Sequence, residues 1–163
     1  MHIKDIKDED FLNYKKAAMF IITPWCDGKC YRELNLDASI CQNHELVNLP
    51  VQKVDDDAIV ERYLNNPLTE SFVLGGLEPL MAQEEIIAFI DCVRRKHNCP
   101  DDIVIYTGYT PDEVKNFMKE AGRYAHIYMK FGRYIPNSSS KEDPVLGVTL
   151  ASSNQFGALI SMV

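Results

Sequence analysis

Residues 71–110 have the sequence SFVLGGLEPLMAQEEIIAFIDCVRRKHNCPDDIVIYTGYT, and this stretch decides the fold. Its first residues, Ser71 to Leu74, are apolar and end at a double glycine, which predicts a buried strand. From Gln83 to about His97 apolar side chains recur at helical spacing, and Ile103 to Tyr106 is a second apolar run of strand length. The stretch therefore predicts the strand, helix and strand of one βαβ unit.

The same alternation continues on both sides of this unit. Upstream, the apolar run Met19 to Ile22 predicts a strand, and a helix is predicted from about Asp55 to Asn65. Downstream, a capping box and a proline at the first helical position predict a helix from Thr110 to Gly122. A further strand is expected from about His126 to Met129. This order predicts right-handed crossovers and an α/β fold with a mainly parallel sheet flanked by helices.

The chain has 163 residues, a length that favours one domain with a sizeable core. No repeat or linker divides the sequence, apart from a polar stretch from Pro136 to Lys141 that predicts an exposed loop. We therefore expect residues 1–163 to form a single domain. A complete (β/α)8 barrel needs about 250 residues, so any barrel formed by this chain is partial.

The composition narrows the classes of partner. The formal net charge is −7 and the sequence pI is about 5.0. Binding to nucleic acid or to an anionic membrane requires a surplus of Lys and Arg, so proteins or small molecules are the expected partners. No stretch approaches the roughly 20 apolar residues of a membrane span, and the N-terminal MHIKDIKDED is too charged for a signal peptide. We therefore expect a cytoplasmic protein.

Three of the five cysteines, Cys26, Cys30 and Cys41, lie in one loop after the apolar run that ends at Ile22. An odd number of cysteines with three of them crowded together favours metal binding over disulfides in a reducing compartment. Three thiolates either hold a structural zinc ion that His44 closes as the fourth ligand, or hold an open metal centre that leaves one position free for chemistry. The spacing alone leaves both alternatives open.

Other residues that often bind metals have simpler interpretations. Cys92 and Cys99 are predicted to be small buried hydrophobic residues. The acidic run from Asp55 to Asp57 is predicted to be a helix N-terminus, where the helix dipole favours negative charge, and not a metal site. The sequence identifies no partner for His97.

Three unusual segments follow predicted strands: the cysteine loop, the turn from Gly75 to Pro79, and the segment from Thr107 to Tyr109. Because ligands bind at the carboxyl ends of parallel strands, we expect these segments to meet at one edge of the sheet. Paired glycines let a ligand approach the backbone closely. The carboxylate of Glu78 suits an ammonium group. An open iron site that faces such a cleft suits a small ligand that carries both an amine and a carboxylate.

Several motifs in this order resemble the radical S-adenosylmethionine enzymes, and among them most closely the activating proteins of anaerobic ribonucleoside-triphosphate reductases. The motifs are Cys-x3-Cys with a third cysteine, Gly75-Gly76-Leu77-Glu78-Pro79, Ile105-Tyr106-Thr107-Gly108-Tyr109-Thr110, and Phe131-Gly132-Arg133-Tyr134 through Ser152-Ser153-Asn154-Gln155. The resemblance runs from about Phe20 to Gln155. It implies a compact partial (βα) barrel of the radical S-adenosylmethionine type.

The resemblance also implies the cofactors and their ligands. Cys26, Cys30 and Cys41 would ligate three irons of a [4Fe–4S] cluster, and the amine and carboxylate of S-adenosylmethionine would chelate the fourth. The cofactor contacts that it implies are Gly75, Gly76, Glu78, Thr107, Gly108, Asn43 and, beside the adenine, Ile40. No catalytic residue is expected beyond these cluster and cofactor ligands.

The activity implied by the resemblance is reductive cleavage of S-adenosylmethionine to methionine and a 5′-deoxyadenosyl radical, which abstracts hydrogen from a glycine. The implied partners are a glycyl-radical protein, the large subunit of an anaerobic ribonucleotide reductase, and a low-potential electron donor such as flavodoxin. The alternatives are a radical enzyme that acts on another substrate, and a non-enzymatic zinc or iron–sulfur module for protein interaction.

The sequence departs from the family pattern at two places. The usual spacing of the cysteines is Cys-x3-Cys-x2-Cys, so Tyr31 to about Ser39 is an insertion in the cysteine loop. Longer loops cost little closure entropy, about 0.6 kcal/mol for each doubling, and ligation is therefore expected to survive the insertion. Leu77 is a second insertion, within the usual Gly-Gly-Glu-Pro turn, and it changes the direction of Glu78 relative to the glycines.

Overall fold

The computed structural model describes residues 1–162, which form ten β-strands and four α-helices, with 3-10 and π turns between them. The strands are β1 (His2–Ile3), β2 (Asp5–Asp10), β3 (Ala18–Ile22), β4 (Gln52–Lys53), β5 (Ser71–Gly75), β6 (Asp102–Tyr106), β7 (Ile127–Phe131), β8 (Lys141–Asp143), β9 (Val148–Leu150) and β10 (Phe156–Leu159). The helices are α1 (Lys29–Arg32), α2 (Asp56–Leu64), α3 (Gln83–Asp91) and α4 (Lys115–Ala121).

A six-stranded sheet with the order β10-β7-β6-β5-β3-β2 organises the chain. The four inner strands, β3, β5, β6 and β7, are parallel to their neighbours, and β2 and β10 pair antiparallel at the two edges. The sheet formed by the described residues is therefore open. Two short antiparallel pairs, β1 with β4 and β8 with β9, lie outside it.

The two faces of the sheet are covered differently. Side chains that alternate along the inner strands, such as Met19, Phe72 and Ile103, belong to the main core together with apolar residues of α2, α3 and α4. On the other face, Val73 and Val104 pack in a second cluster that contains residues of the β8–β9 segment. The helices thus cover one face, as expected when successive parallel strands are added in one direction with crossovers of one hand.

The predicted helices are present, but their ends differ from those predicted. The helix predicted from Gln83 to about His97 is α-helical only to Asp91, after which Cys92–Lys96 form a π turn. The helix predicted at Thr110 begins with a 3-10 turn, Pro111–Val114, which carries the expected capping box. Within residues 1–162, no helix combines the length and the apolar character that spanning a bilayer requires.

The topology brings four connections to one edge of the sheet. The carboxyl ends of the parallel strands are Ile22, Gly75, Tyr106 and Phe131, and these residues lie on adjacent strands. The loops that follow them are far apart in sequence. Because the strand ends are adjacent, the side chains of these four loops meet in one site at this edge of the sheet.

Candidate metal and cofactor site

The three cysteines of the cysteine loop line one cavity of about 330 Å³ at the carboxyl edge of the parallel strands. Cys30 lies within α1, which begins after Gly28 in the left-handed conformation with φ 67°. The backbone N–H of Gly28 donates a hydrogen bond to the Cys26 sulfur at 3.3 Å. Cys41 ends the 3-10 turn formed by Ala38–Ile40. Local turns thus direct all three thiols into the same space.

The thiols of the cavity differ in acidity. A hydrogen bond from Cys30 lowers the pKa of Cys41 to about 6, and the same bond together with burial raises the pKa of Cys30. The pKa of Cys26 is also raised, because the surrounding protein shields its thiol from part of the solvent although the residue as a whole is exposed. Cys41 is therefore the first of the three to become a thiolate, the form that binds metals.

The spacing of the sulfur atoms distinguishes a single ion from a larger centre. The three sulfurs do not all lie within 4.8 Å of one another. Zinc binds sulfur at about 2.3 Å, so two sulfurs on one zinc ion are at most about 4.6 Å apart. In this conformation the three sulfurs are therefore more widely spaced than the ligands of one zinc ion, and a cluster of several irons suits such a spacing. His44, the predicted fourth zinc ligand, is exposed, and its Nδ1 lies 3.1 Å from the backbone oxygen of Cys41.

Glu78 is a buried carboxylate at the same edge, 7% exposed. Its Oε1 accepts hydrogen bonds from the Thr107 hydroxyl at 2.8 Å and the backbone N–H of Leu80 at 3.0 Å, and its Oε2 accepts from the N–H of Gly108 at 2.8 Å. These bonds join the turn after β5 to the segment after β6. Burial is the largest influence on this carboxyl and raises its pKa above the usual range.

Lys130, the fourth residue of β7, brings a positive charge to the cavity. Its side chain is buried, and its ammonium group donates a hydrogen bond to the backbone oxygen of Gly132 at 2.8 Å. Burial lowers its pKa to about 8, while the charges of Glu78 and Cys30 oppose that shift. The cavity therefore contains opposite charges as well as thiols.

The structure brings most of the predicted cofactor contacts together. The cavity is lined by Asn43, Gly76, Glu78, Thr107 and Gly108, along with the three cysteines. Leu77, the inserted residue, is buried and lines the cavity as well, and the insertion leaves Glu78 within it.

Two predicted contacts lie outside this lining among the described residues: Gly75 and Ile40. The carbonyl of Gly75 accepts bonds from the Thr23 backbone at 2.9 Å and the Thr23 hydroxyl at 3.0 Å. A Cβ at Gly75 would lie 3.0 Å from the Cβ of Tyr106, so strand packing explains this glycine. Ile40 is half-buried in the 3-10 turn that precedes Cys41.

Arg133 holds the cysteine loop in place through ion pairs, and we call this set of contacts the brace. Its guanidinium contacts Glu113 at 2.6 and 2.9 Å and Glu33, at the end of α1, at 2.9 and 3.0 Å. The interaction with Arg133 lowers the pKa of Glu113. A side chain that follows β7 thus connects the loop after β3 to the turn after β6.

Lys130 and Asp27 are among the lining residues of the cavity that were not identified from the sequence. Lys130 could have been identified from the sequence, because it is a charged residue in the otherwise apolar strand Ile127–Phe131. Asp27 accepts a hydrogen bond from the Tyr109 hydroxyl at 2.6 Å, a contact 82 residues apart in sequence. That pairing depends on which loops meet, and local sequence patterns do not encode it.

Comparison with known families agrees with this geometry. Residues 24–156 match the model of a family described as a 4Fe-4S single cluster domain, and the match includes all three cysteines of the cavity. No curated protein and no solved structure matches the chain significantly. The match covers most of the sequence, and the donor set of three thiols suits such a cluster. The chain therefore belongs to the family of 4Fe-4S single cluster domains.

Proposed function

We propose that this chain cleaves S-adenosylmethionine reductively at a [4Fe–4S] cluster and generates a glycyl radical on an anaerobic ribonucleotide reductase. The observation that carries the proposal is that three thiols, a buried carboxylate and a buried ammonium group line one cavity at the carboxyl edge of a parallel sheet. Family membership supports the cluster. The order of the sequence motifs supports the cofactor and the class of substrate.

Cys26, Cys30 and Cys41 would hold the cluster through three thiolates. When bound and reduced, such a cluster supplies the single electron that splits S-adenosylmethionine into methionine and a 5′-deoxyadenosyl radical. The chain's own contribution is to bring the three thiols to one cavity and to orient the cofactor. The lowered pKa of Cys41 favours a thiolate at one of the three positions.

The charges of the cavity match the amino acid portion of S-adenosylmethionine. Glu78 provides a carboxylate that can accept from the amino group, and the buried Lys130 provides an ammonium group for the carboxylate. Gly76 and Gly108 place backbone next to the cavity without a side chain in between. Thr107 and the N–H of Gly108 hold the Glu78 carboxylate in position. With the amino group facing Glu78 and the carboxylate facing Lys130, each of the two buried side chains would have a partner on the cofactor.

We also propose that the fold is a partial barrel of the radical S-adenosylmethionine type. The sequential parallel order β3-β5-β6-β7, with helices on one face, supports this assignment. Cys26 is exposed, so the proposed cluster site opens to solvent. An opening of this kind suits a substrate that is itself a protein and covers the site on binding.

Anaerobic reconstitution with iron and sulfide tests the proposal. We expect about four irons per chain, a perturbed electron paramagnetic resonance spectrum of the reduced cluster on addition of S-adenosylmethionine, and 5′-deoxyadenosine as a product. Incubation with a purified anaerobic reductase should then produce a glycyl radical signal. The variant Cys41→Ser should lose iron and product, whereas the matched variant Cys99→Ser should keep both.

Each other outcome has a defined meaning. Iron binding without 5′-deoxyadenosine contradicts cofactor cleavage and favours an iron–sulfur interaction module. Formation of 5′-deoxyadenosine without a glycyl radical on the reductase contradicts the proposed partner and favours another substrate. A single zinc ion bound by three sulfurs, with no iron, contradicts the cluster itself.

A further inference from the structure

A second group of metal-binding side chains lies away from the cysteine cavity. Asp57, Cys92 and His97 each offer one ligand atom, and these three atoms all lie within 4.8 Å of one another. The sulfur of Cys92 is 3.4 Å from Oδ1 of Asp57, and Nε2 of His97 is 2.9 Å from the same oxygen. None of the three residues lines the cysteine cavity.

A local distortion of the helix brings two of these ligands to the same side. Cys92 and His97 are five residues apart and would lie about 140° apart around an α-helix of 3.6 residues per turn. Here Cys92–Lys96 form a π turn, in which the N–H of His97 donates to the carbonyl of Cys92 at 3.0 Å. Such turns are rare and often occur at functional sites. The π turn directs both side chains toward Asp57 in the first turn of α2.

The donor set and its spacing suit zinc. Thiolate, imidazole and carboxylate are the three side-chain ligand types of this ion, with bonds of about 2.0–2.3 Å. Tetrahedral geometry then places ligand atoms roughly 3.3–3.6 Å apart. The Cys92–Asp57 distance already fits, and His97 needs a shift of about 0.4 Å. A water molecule would complete the fourth position, since all three residues are only partly buried.

Lys96 binds Asp57 through Oδ2 and leaves Oδ1, the oxygen that would bind the metal ion, available to it. Lys96 binds Oδ2 of Asp57, while Cys92 and His97 face Oδ1. The Lys96 side chain is 64% exposed, so its charge is well solvated. The ion pair therefore orients the carboxylate without occupying the position of the ion.

We propose that Asp57, Cys92 and His97 form a zinc site that is separate from the cysteine cavity. On binding, the Cys92 thiol releases its proton to solvent, and Zn²⁺ joins the start of α2 to the π turn that follows α3. The ion would link segments 35 to 40 residues apart in sequence and stabilise the helical layer. This site does not depend on the function proposed for the cysteine cavity.

The test uses the full chain with its iron–sulfur cluster installed, first treated with a chelator and then titrated with zinc. We expect one zinc per chain by mass spectrometry of the metals. Zinc-edge X-ray absorption should give one sulfur at about 2.3 Å and nitrogen or oxygen ligands at about 2.0–2.1 Å. The thermal unfolding midpoint should rise on zinc addition.

Variants separate this site from the cysteine cavity. Cys92→Ser and His97→Gln should each weaken zinc binding at least tenfold, whereas Cys99→Ser should leave it unchanged. Circular dichroism checks that each variant folds; if Cys92→Ser does not fold, the sulfur count of the wild-type protein decides. Zinc with three sulfur ligands, no bound zinc, or full zinc binding by folded Cys92→Ser overturns the proposal.

Discussion

Two buried residues of opposite charge, Glu78 and Lys130, line the cysteine cavity. Each binds backbone or hydroxyl groups: Glu78 accepts from Thr107 and Gly108, and Lys130 donates to Gly132. Burial raises the pKa of Glu78 and lowers that of Lys130, so the fold disfavours the charged form of both. Strongly shifted pKa values of buried groups cluster at functional sites.

The first prediction concerns the pH dependence of stability caused by Lys130. Its pKa falls from 10.5 to about 8 on folding, so the folded chain binds fewer protons than the unfolded chain between these pH values. The free energy of unfolding of the wild type should therefore rise with pH across this window, relative to Lys130→Met. At 1.36 kcal/mol for each pKa unit the rise is roughly 3 kcal/mol.

Urea unfolding of the cluster-free chain and of Lys130→Met at pH 7.5 and pH 10.5 measures this difference. The titrations that both proteins share cancel in the comparison. Lys119→Met, which removes an exposed lysine from α4, provides the control and should show no comparable change. A difference that stays constant or falls with pH would show that Lys130 is not destabilised by burial.

The second prediction concerns the hydrogen bonds of Glu78. Glu78→Gln keeps the shape of the side chain but places an NH2 group where Oε2 accepts from the N–H of Gly108. Two donors then face each other in a buried place, which should lower the free energy of unfolding by about 1–3 kcal/mol. The exposed Glu70→Gln should change it by less than about 0.5 kcal/mol. Equal effects of the two substitutions in chemical unfolding would contradict the assignment.

At the scale of the elements, the turns after β5 and β6 differ in what their glycines do. Gly76 has φ 82°, and a Cβ there would lie 2.9 Å from Cγ2 of Ile22. Gly108 does not have a positive φ, and the atom nearest to a Cβ added there would be Oε2 of Glu78, at 3.5 Å. The first glycine is thus required by the fold, and the second borders the cavity.

The third prediction follows from this pair of glycines. Gly76→Ala should lower the free energy of unfolding by about 1–2 kcal/mol, because a non-glycine residue is strained in the left-handed region. Gly108→Ala should leave stability within about 1 kcal/mol of the wild type. In the proposed function it should weaken binding of S-adenosylmethionine, because the added methyl group enters the cavity. Chemical unfolding and ligand titration measure the two effects, and equal loss of stability in both variants would contradict the distinction.

Sequence periodicity predicted the inner elements because each is apolar and ends at a clear stop. Residues 71–75 and 102–106 are strands whose side chains pack on both faces, and such runs are recognisable without their neighbours. The edge strand Asp5–Asp10 escaped because five of its six residues are charged. An edge strand pairs on one side only, and most side chains of this strand are exposed or half-buried.

The candidate site was predictable where a motif and a strand end coincide. Gly76, Glu78, Thr107 and Gly108 follow directly from that rule, because parallel strands present their carboxyl ends together. The π turn at Cys92 was not predictable, since it depends on one extra residue in a helical turn whose apolar pattern continues. Cys92 packs against the main core as predicted, but it is only partly buried, and its thiol donates to Asp57.

The fourth prediction concerns the brace formed by Arg133. Arg133→Met removes contacts to Glu113 and to Glu33 at the end of α1. Each such pair contributes about 0.2–1 kcal/mol, so the loss of both should make local opening of the cysteine loop about two- to thirtyfold more frequent. Hydrogen exchange of the backbone amides of residues 29–36 measures this opening. Arg123→Met, at an exposed position, is the control, and equal exchange in both variants would contradict the role of the brace.

At the scale of the whole molecule, the cysteine cavity adjoins a second hollow of about 280 Å³. Both are lined by Cys30, Gly132 and Arg133, so the second hollow continues the first across the surface. Its wall carries exposed apolar side chains, including Leu34 at 48% and Ile135 at 41% exposure. Leu34 belongs to the insertion in the cysteine loop. If the chain acts on a reductase as proposed, we expect this surface to be where the reductase contacts it.

The fifth prediction separates docking of the reductase from cofactor chemistry. Leu34→Ser and Ile135→Ser should raise the KM for the reductase in glycyl radical formation by about three- to tenfold, the loss of roughly 1 kcal/mol of apolar contact. Cleavage of S-adenosylmethionine without the reductase should be unchanged, because neither side chain lines the cysteine cavity. Leu64→Ser is the matched control, an equally exposed leucine on α2 that lines neither hollow. If both sets of variants leave the KM unchanged, the reductase docks elsewhere; if cleavage falls as well, the substitutions have disturbed the cluster and not the docking.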